Sequence, residues 1–232
     1  MKNYLLGLLF IFAATSTAFS QTTFEYGLKG GINYSMGGEV EGFDSTLNYW
    51  DGIAEGVGAI GFHGGVFGQV NFGKFFIRPE VVYNSLIQEF EIPKREENTE
   101  YSVQTFTIPM MVGYNIWGPL DLYAGPVYSN VLDARIEGDE SNALIVFQNT
   151  PINAQVGAKV EIGRFGLDVR YEHSLSDPEV QSLDFDNKLF GGNQGGANRG
   201  AFNDSRLNQV IVSLIFKIGG PGLNERRRRA CY

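Results

Sequence analysis

Along most of the chain, apolar side chains recur at every second position, and polar or very small residues stand between them. The pattern is clearest in residues 24–34, whose large apolar positions are Phe24, Tyr26, Leu28, Ile32 and Tyr34. Successive side chains of a β-strand point to opposite faces, so a period of two predicts strands with one apolar and one polar face. After residue 21, no long stretch has the three- and four-residue apolar spacing of a helix. The sequence therefore predicts an all-β fold.

Eight segments carry this alternation. They are residues 24–34, 59–72, 75–90, 101–116, 120–132, 152–162, 165–174 and 207–218. Each is long enough for the about 9 to 11 residues that a tilted strand needs to cross a bilayer. Pro109 weakens the assignment of the fourth segment, because proline has no N–H to donate to a neighbouring strand.

The segments that connect these strands alternate between long and short. The long ones are residues 35–58, 91–100, 133–150 and 176–206, and the short ones are residues 73–74, 117–119 and 163–164. Outer-membrane barrels have short turns on the periplasmic side and longer loops outside. The pattern predicts an eight-stranded antiparallel transmembrane β-barrel with both chain ends in the periplasm.

The first twenty residues have the features of an export signal. Lys2 is followed by an apolar run over residues 4–14, and small residues at Ala18 and Ser20 favour cleavage after Ser20. A membrane anchor is the alternative, but the run is shorter than the about 20 residues of a spanning helix. We therefore expect a signal peptide at 1–20, a barrel at 21–218 and a basic tail at 219–232.

Charge and cysteine content exclude several classes of function. The 232 residues contain 18 Lys and Arg against 26 Asp and Glu, a deficit of cations that argues against a nucleic-acid partner. The single cysteine, Cys231, forms no disulfide within its own chain, and no zinc site, redox site or cofactor is predicted. Arg226–Arg229 predict a disordered periplasmic tail, with docking to anionic lipid or a partner as the alternative.

The polar face carries charges of both signs in nearly equal number. Its charged residues are Glu25, Lys29, Arg78, Glu80, Lys159, Glu161, Asp168, Arg170 and Glu172. Unpaired charge inside a narrow barrel costs much free energy, so this balance predicts an ion-paired plug in the barrel interior. The candidate interior network consists of Arg78, Glu80, Asp168, Arg170 and Glu172, either as a structural plug or as a narrow polar path.

The apolar face has aromatic residues near the predicted strand ends, where membrane barrels place lipid-facing girdles. They are Phe24, Tyr34, Phe62, Phe72, Tyr83, Phe90, Tyr114, Phe165, Tyr171 and Phe216. Alternation alone does not show which face is inside, so a soluble barrel with an apolar interior is the alternative.

No catalytic or metal site is predicted. The sequence Tyr171–Ser176 invites comparison with outer-membrane enzymes that use serine and histidine, but Ser174 and His173 point to opposite faces of a strand. Inward-facing His63 is interpreted as a satisfied interior residue, with a titrating gate as the alternative. Loop acids such as Glu39 and Asp44 do not match the ligand spacing of a calcium loop.

Four stretches resemble a known family. They are residues 27–33 (GLKGGIN), 78–83 (RPEVVY), 106–112 (FTIPMMV) and 168–172 (DVRYE). In these the chain resembles the outer-membrane β-barrel proteins common in Bacteroidetes, which include the PorT-like proteins. The resemblance implies an outer-membrane location and a barrel fold without a shared catalytic mechanism, and one branch is associated with a secretion and gliding apparatus. The chain departs from a usual barrel end, because Phe216 is not terminal.

These observations predict a non-enzymatic integral outer-membrane protein. Its expected partners are outer-membrane lipid and envelope proteins, contacted through loops or periplasmic turns, with residues 35–58 and 191–203 as the recognition loops. A soluble periplasmic ligand carrier and a lipid A-modifying enzyme are the alternatives.

Overall fold

A computed structural model describes residues 22–42, 52–92, 98–137, 152–176, 180–184, 199–203 and 208–221. In these ranges the chain forms eleven β-strands: β1 (Thr22–Met36), β2 (Glu39–Gly42), β3 (Ile53–Phe72), β4 (Phe75–Phe90), β5 (Thr99–Trp117), β6 (Leu120–Ile136), β7 (Ile152–Ile162), β8 (Phe165–Ser174), β9 (Val180–Asp184), β10 (Arg199–Asn203) and β11 (Asn208–Gly219). No described helix is long and apolar enough to cross a membrane. The predicted signal peptide and the Arg226–Arg229 run lie outside the described residues.

Eight of the strands close into an antiparallel ring in the order β1, β3, β4, β5, β6, β7, β8 and β11. The ring closes because β1 pairs with β11 on one side and with β3 on the other. Each ring strand coincides with one of the eight segments predicted from the alternation, apart from Leu207, which lies outside the described residues, so the all-β antiparallel prediction is confirmed. β5 continues through Pro109, whose register partner is Val127 of β6.

The stagger of the ring fixes its width. Following register partners once around, from Gly61 of β3 by way of β1, β11, β8, β7, β6, β5 and β4, returns to Asn71, ten residues further along β3. With a rise of about 3.3 Å per residue and a strand spacing of about 4.8 Å, this stagger tilts the strands by about 41°. The ring radius is then about 8 Å, which side chains fill.

The three short connections and both ends of the ring lie at one end of the barrel, the short-turn end. Its turns contain Gly73, Gly118 and Gly163, each at a φ between 55° and 65°. Glycine adopts this left-handed conformation without strain, so the chain reverses within two residues. The opposite end, to which β3 to β6 extend furthest, is the long-loop end.

The apolar face of the ring points outward, as predicted. Mid-strand residues such as Leu28, Val66 and Val169 are 47%, 49% and 44% exposed outside the ring. The aromatic residues Phe24 and Tyr34 stand ten positions apart on β1, which is about 33 Å along the strand and about 25 Å along the barrel axis. That height matches the apolar band of a membrane barrel, about 25 Å.

Three short strands that the alternation did not predict close the long-loop end. β2 falls in the predicted loop 35–58, and β9 and β10 fall in the predicted loop 176–206. They extend the sheet from β3 in the order β2, β10 and β9. Together with the ends of β3 to β6 they form the cap. Four or five residues show too few alternations to predict a strand.

The cap has an apolar core of its own. Its buried members are Val40, Ala54, Leu86, Phe90, Ile92, Tyr101, Val103, Ile136, Leu183 and Phe202. The ring of Phe202 lies 5.7 Å from that of Phe90 and 4.8 Å from that of Tyr101. Phe90 therefore lies inside, and the expectation that it belongs to the lipid-facing girdle is wrong. Residues 199–203, within the predicted loop 176–206, form a strand that buries Phe202.

Phe202→Ala is expected to loosen the cap and leave the ring intact. The substitution opens a cavity beside Phe90 and Tyr101, a change that costs about 3 to 5 kcal/mol in well-packed cores. Limited proteolysis of the folded protein should therefore cut the cap faster, while the boiled and unboiled protein still migrate differently on gels. The matched control is Val180→Ala, because Val180 is exposed. An unchanged cleavage rate in Phe202→Ala would contradict the packing role.

Candidate functional site

Glu80 is the centre of the charged interior. This carboxylate of β4 is buried and accepts hydrogen bonds from Lys29 Nζ at 3.0 Å and Arg78 Nε at 2.8 Å. Arg170 of β8 donates to both of its oxygens, at 2.7 and 2.8 Å. Because β4 and β8 are four places apart in the eight-strand ring, the Arg170–Glu80 pair joins opposite walls of the barrel. Paired donation of this kind is the strongest hydrogen-bond arrangement open to a carboxylate.

Asp168 completes this central cluster. Its Oδ2 accepts hydrogen bonds from Arg170 at 2.5 and 2.8 Å and lies 3.7 Å from Lys29 Nζ. The hydroxyl of Tyr123 donates to its other oxygen. All these side chains are buried, so every charge in the cluster depends on its partners.

A second cluster lies nearer the short-turn end and is joined to the first through Arg78. The carboxylate of Glu161 lies 3.3 Å from Arg78, 2.9 Å from Lys159 and 2.7 Å from Lys217. Lys159 also lies 2.8 Å from Asp121, and Lys217 lies 2.9 Å from Glu25. In the two clusters together, five cations face five carboxylates. Beyond them, a cavity of about 320 Å³ opens at the short-turn end, lined by residues that include Gln69 and Asn71.

The structure brings four of the five candidate network residues together. Arg78, Glu80, Asp168 and Arg170 lie in the central cluster. Among the described residues, Glu172 has no cationic partner and instead accepts hydrogen bonds from the amides of Asn153 and Gln155. Gln155 in turn accepts one from Arg170 at 3.2 Å, which links Glu172 to the cluster through a neutral residue.

The charged groups of the interior pack against aromatic rings. The sequence analysis had not placed these rings inside the barrel. The guanidinium of Arg78 lies 3.8 Å from the ring centre of Phe67, and that of Arg170 lies 5.0 Å from the ring centre of Tyr123. The ammonium of Lys159 lies 4.9 Å from the ring centre of Phe76. Cations are attracted to ring faces at these distances. The interior is therefore an ion-paired plug packed with aromatic residues.

Interior glycines make room for these rings. A Cβ at Gly27 would lie 2.9 Å from the ring of Phe67, and one at Gly157 would lie 2.6 Å from the hydroxyl of Tyr123. Since Gly157 is the register partner of Tyr123, a large residue on one strand packs over a glycine on the next. A signal in the sequence was present, because most of these glycines alternate with the outward apolar residues.

The two histidines lie on opposite sides of the wall. His63 points inward, as predicted, and its Nε2 lies 2.8 Å from Ser213 Oγ. His173 lies outside, where its ring stacks on that of Tyr171 at 6.4 Å, whereas Ser174 points inward. Hydroxyl and imidazole are thus separated by the sheet. The described residues contain no cluster of metal-ligating side chains, and Asp44 lies outside the described ranges.

Comparisons with known proteins identify a family and solved structures that are similar to this chain. The family model described as outer membrane protein beta-barrel domain matches residues 19–178. A comparison with curated proteins gave no match. The solved structure of the outer membrane protein OprG from Pseudomonas aeruginosa is similar with a TM-score of 0.51 and 7% identity, over 85% of this chain and 95% of that one. Neisserial surface protein A is similar with a TM-score of 0.42 and 13% identity, over 86% of this chain and 100% of that one.

The OprG likeness supports the fold alone, whereas the family match extends over well more than half of the chain. With apolar side chains outside a closed ring, outer-membrane location replaces the alternative of a soluble periplasmic carrier. On these grounds the chain belongs to the outer membrane protein beta-barrel domain family, and it resides in the outer membrane.

Proposed function

We propose that this protein is a non-enzymatic outer-membrane protein that acts by contact with envelope partners rather than by transport. In this proposal the short-turn end faces the periplasm and the cap faces outward, as the lengths of the connections indicate. The observation that carries the proposal is the double closure of the barrel by the ion-paired plug and the cap.

The plug leaves little room for a solute. The ring has a radius of about 8 Å, and its interior is filled by fully buried side chains, among which are those of Arg78, Lys159 and Arg170. At the long-loop end, the buried rings of Phe90, Tyr101 and Phe202 close the same axis. A path through the barrel would require both layers to open, so the geometry favours a structural or interaction role.

The outer face of the cap has features of a contact surface. Ile53 and Val57 on β3 are 60% and 63% exposed. They lie nearer the long-loop end than the apolar band at the middle of the strands. Glu55 stands between them, directly opposite Glu39 of β2. Like charges opposite each other destabilise a sheet, which favours a role for these acids in binding a cationic partner.

A photo-crosslinking amino acid at Val57 tests this proposal in intact cells. We expect adducts with another envelope protein, and we expect high salt to reduce them because the neighbouring carboxylates attract a cationic surface. The same amino acid at Val112, which is exposed on the apolar band, is the matched control and should give no such adduct. Identical adduct patterns at the two positions would contradict the contact role.

The PorT-like resemblance supports a narrower proposal, in which the partner is a component of a secretion apparatus. The same experiment tests it when the adducts at Val57 are identified by mass spectrometry. A set of adducts without any secretion component contradicts the narrower proposal and leaves the contact role standing. The alternative of a lipid A-modifying enzyme gains no support from His173 and Ser174, which lie on opposite faces of β8.

A further inference from the structure

At the short-turn end, the cations in the turns are exposed, whereas the carboxylates point into the barrel. Lys74 and Arg164 lie in two of its three turns and are exposed. The carboxylates at the same end, those of Glu25, Asp121 and Glu161, point into the barrel and pair with lysines there. Among the described residues, the exposed charges in the turns of this end are therefore cations, and Lys74 also lines the cavity that Glu25, Asp121 and Glu161 line from inside.

Each turn is held in place by the strand beyond it. The backbone carbonyl of the second turn residue accepts an N–H bond from the next hairpin or from β11. The bonds are Asn115 N to Lys74 O at 2.7 Å, Glu161 N to Pro119 O at 3.1 Å, and Lys217 N to Arg164 O at 2.8 Å. The backbones of Lys74 and Arg164 are thus fixed at equivalent positions around the rim, so their cationic side chains start from rigid points.

Aromatic residues mark the membrane boundary at this level. The rings of Phe75 and Tyr114 pack at 4.9 Å, and those of Phe165 and Phe216 pack at 5.5 Å. Lys74 Nζ lies 5.8 Å from the ring centre of Tyr114, so this cation sits beside the girdle. Aromatic girdles lie at the headgroup level of a bilayer, which places both cations next to lipid phosphates.

We propose that Lys74 and Arg164 form a binding collar for anionic glycerophospholipids, with Trp117 between them at the lipid boundary. Phosphate oxygens match the ammonium and guanidinium groups, and Trp117, whose indole is 78% exposed, ends β5 just before the middle turn. Assignment of the collar to the inner leaflet rests on the proposed orientation, but the binding itself does not.

Trp117 provides the reporter for the test. Trp50→Phe leaves it as the single tryptophan, because the chain has two. The full protein is folded into vesicles of about one part phosphatidylglycerol to three parts phosphatidylcholine, with brominated chains on one lipid or the other. We expect brominated phosphatidylglycerol to quench the fluorescence of Trp117 about twofold more than its mole fraction in the vesicles predicts. The double variant Lys74→Gln, Arg164→Gln should reduce the quenching to the value that the mole fraction of phosphatidylglycerol predicts. High salt should have the same effect.

Two further variants separate charge from structure. Lys74→Arg with Arg164→Lys keeps both charges and should keep the enrichment, whereas Arg135→Gln removes an exposed cation at the long-loop end and should not change it. Folding of each variant is checked by its migration with and without boiling. Equal quenching in the parent and the neutral variant, or no enrichment in the parent at low salt, overturns the collar. Both leaflets of these vesicles have one composition, so the result is independent of orientation and of the cap's partner.

Discussion

Glu80→Gln is expected to lower the free energy of unfolding by about 3 to 5 kcal/mol, the cost of removing one partner from a buried ion pair. The amide keeps the shape of the side chain, but it leaves Lys29, Arg78 and Arg170 buried with too little negative charge. The measurement is a urea titration of the protein in phosphatidylcholine vesicles, read from the folded and unfolded bands on unboiled gels.

Glu55→Gln is the matched control, because Glu55 is exposed and faces another glutamate rather than a cation. This change should leave stability the same or raise it slightly. The double variant Glu80→Gln, Arg170→Gln should cost less than the two single changes added together, since the pair is then removed as a unit. Simple additivity would show that the two residues do not act as a pair across the barrel.

Gly113→Val is expected to destabilise the barrel by about 3 kcal/mol or more, or to prevent its assembly. A Cβ at Gly113 would lie 2.0, 2.4 and 2.6 Å from three atoms of the Phe76 ring, its register partner on β4. The ring has little room to move, because it packs in a buried cluster with Met111, Tyr123 and Val127. The measurement is again the urea midpoint, together with the fraction that folds into vesicles.

Phe76→Ala in the same chain should restore most of the folded fraction, because the alanine vacates the volume that the valine needs. Gly64→Val is the matched control, since Gly64 faces outward and a Cβ there meets no atom within 4 Å. Equal losses for Gly113→Val and Gly64→Val would mean that strand propensity rather than the aromatic contact sets the effect.

The ring strands could be predicted from the sequence because each alternates over many positions. In β1 and β8, outward apolar residues occupy every second position. A shift of the strand register by one residue would place all of them in the interior. The same alternation predicted the balance of charge within the barrel. It did not predict Glu80 as the centre, because that depends on the stagger that brings Arg170 of β8 across to β4.

The contacts of the interior rings and the cap could not be predicted in the same way. Phe76 and Gly113 are 37 positions apart, and only the register of β4 against β5 shows that one fits over the other. Phe90 is different, because its even position on β4 is shared with Arg78 and Glu80, so the alternation itself predicts an inward side chain and the girdle expectation did not follow it. Short strands such as β10 are held by the tertiary core around Phe202 rather than by a local pattern.

The pairing of β2 with β10 has a consequence for the order of assembly. It joins Val40 to Phe202, two residues far apart in the chain, and an encounter over such a loop is slow in an unfolded polypeptide. Once β1 has paired with β11, however, β2 and β10 extend from neighbouring strands. They are then close together, and little chain entropy is lost when they pair. We therefore expect the cap to fold late. Protection of its backbone amides from hydrogen exchange then indicates that the barrel has closed.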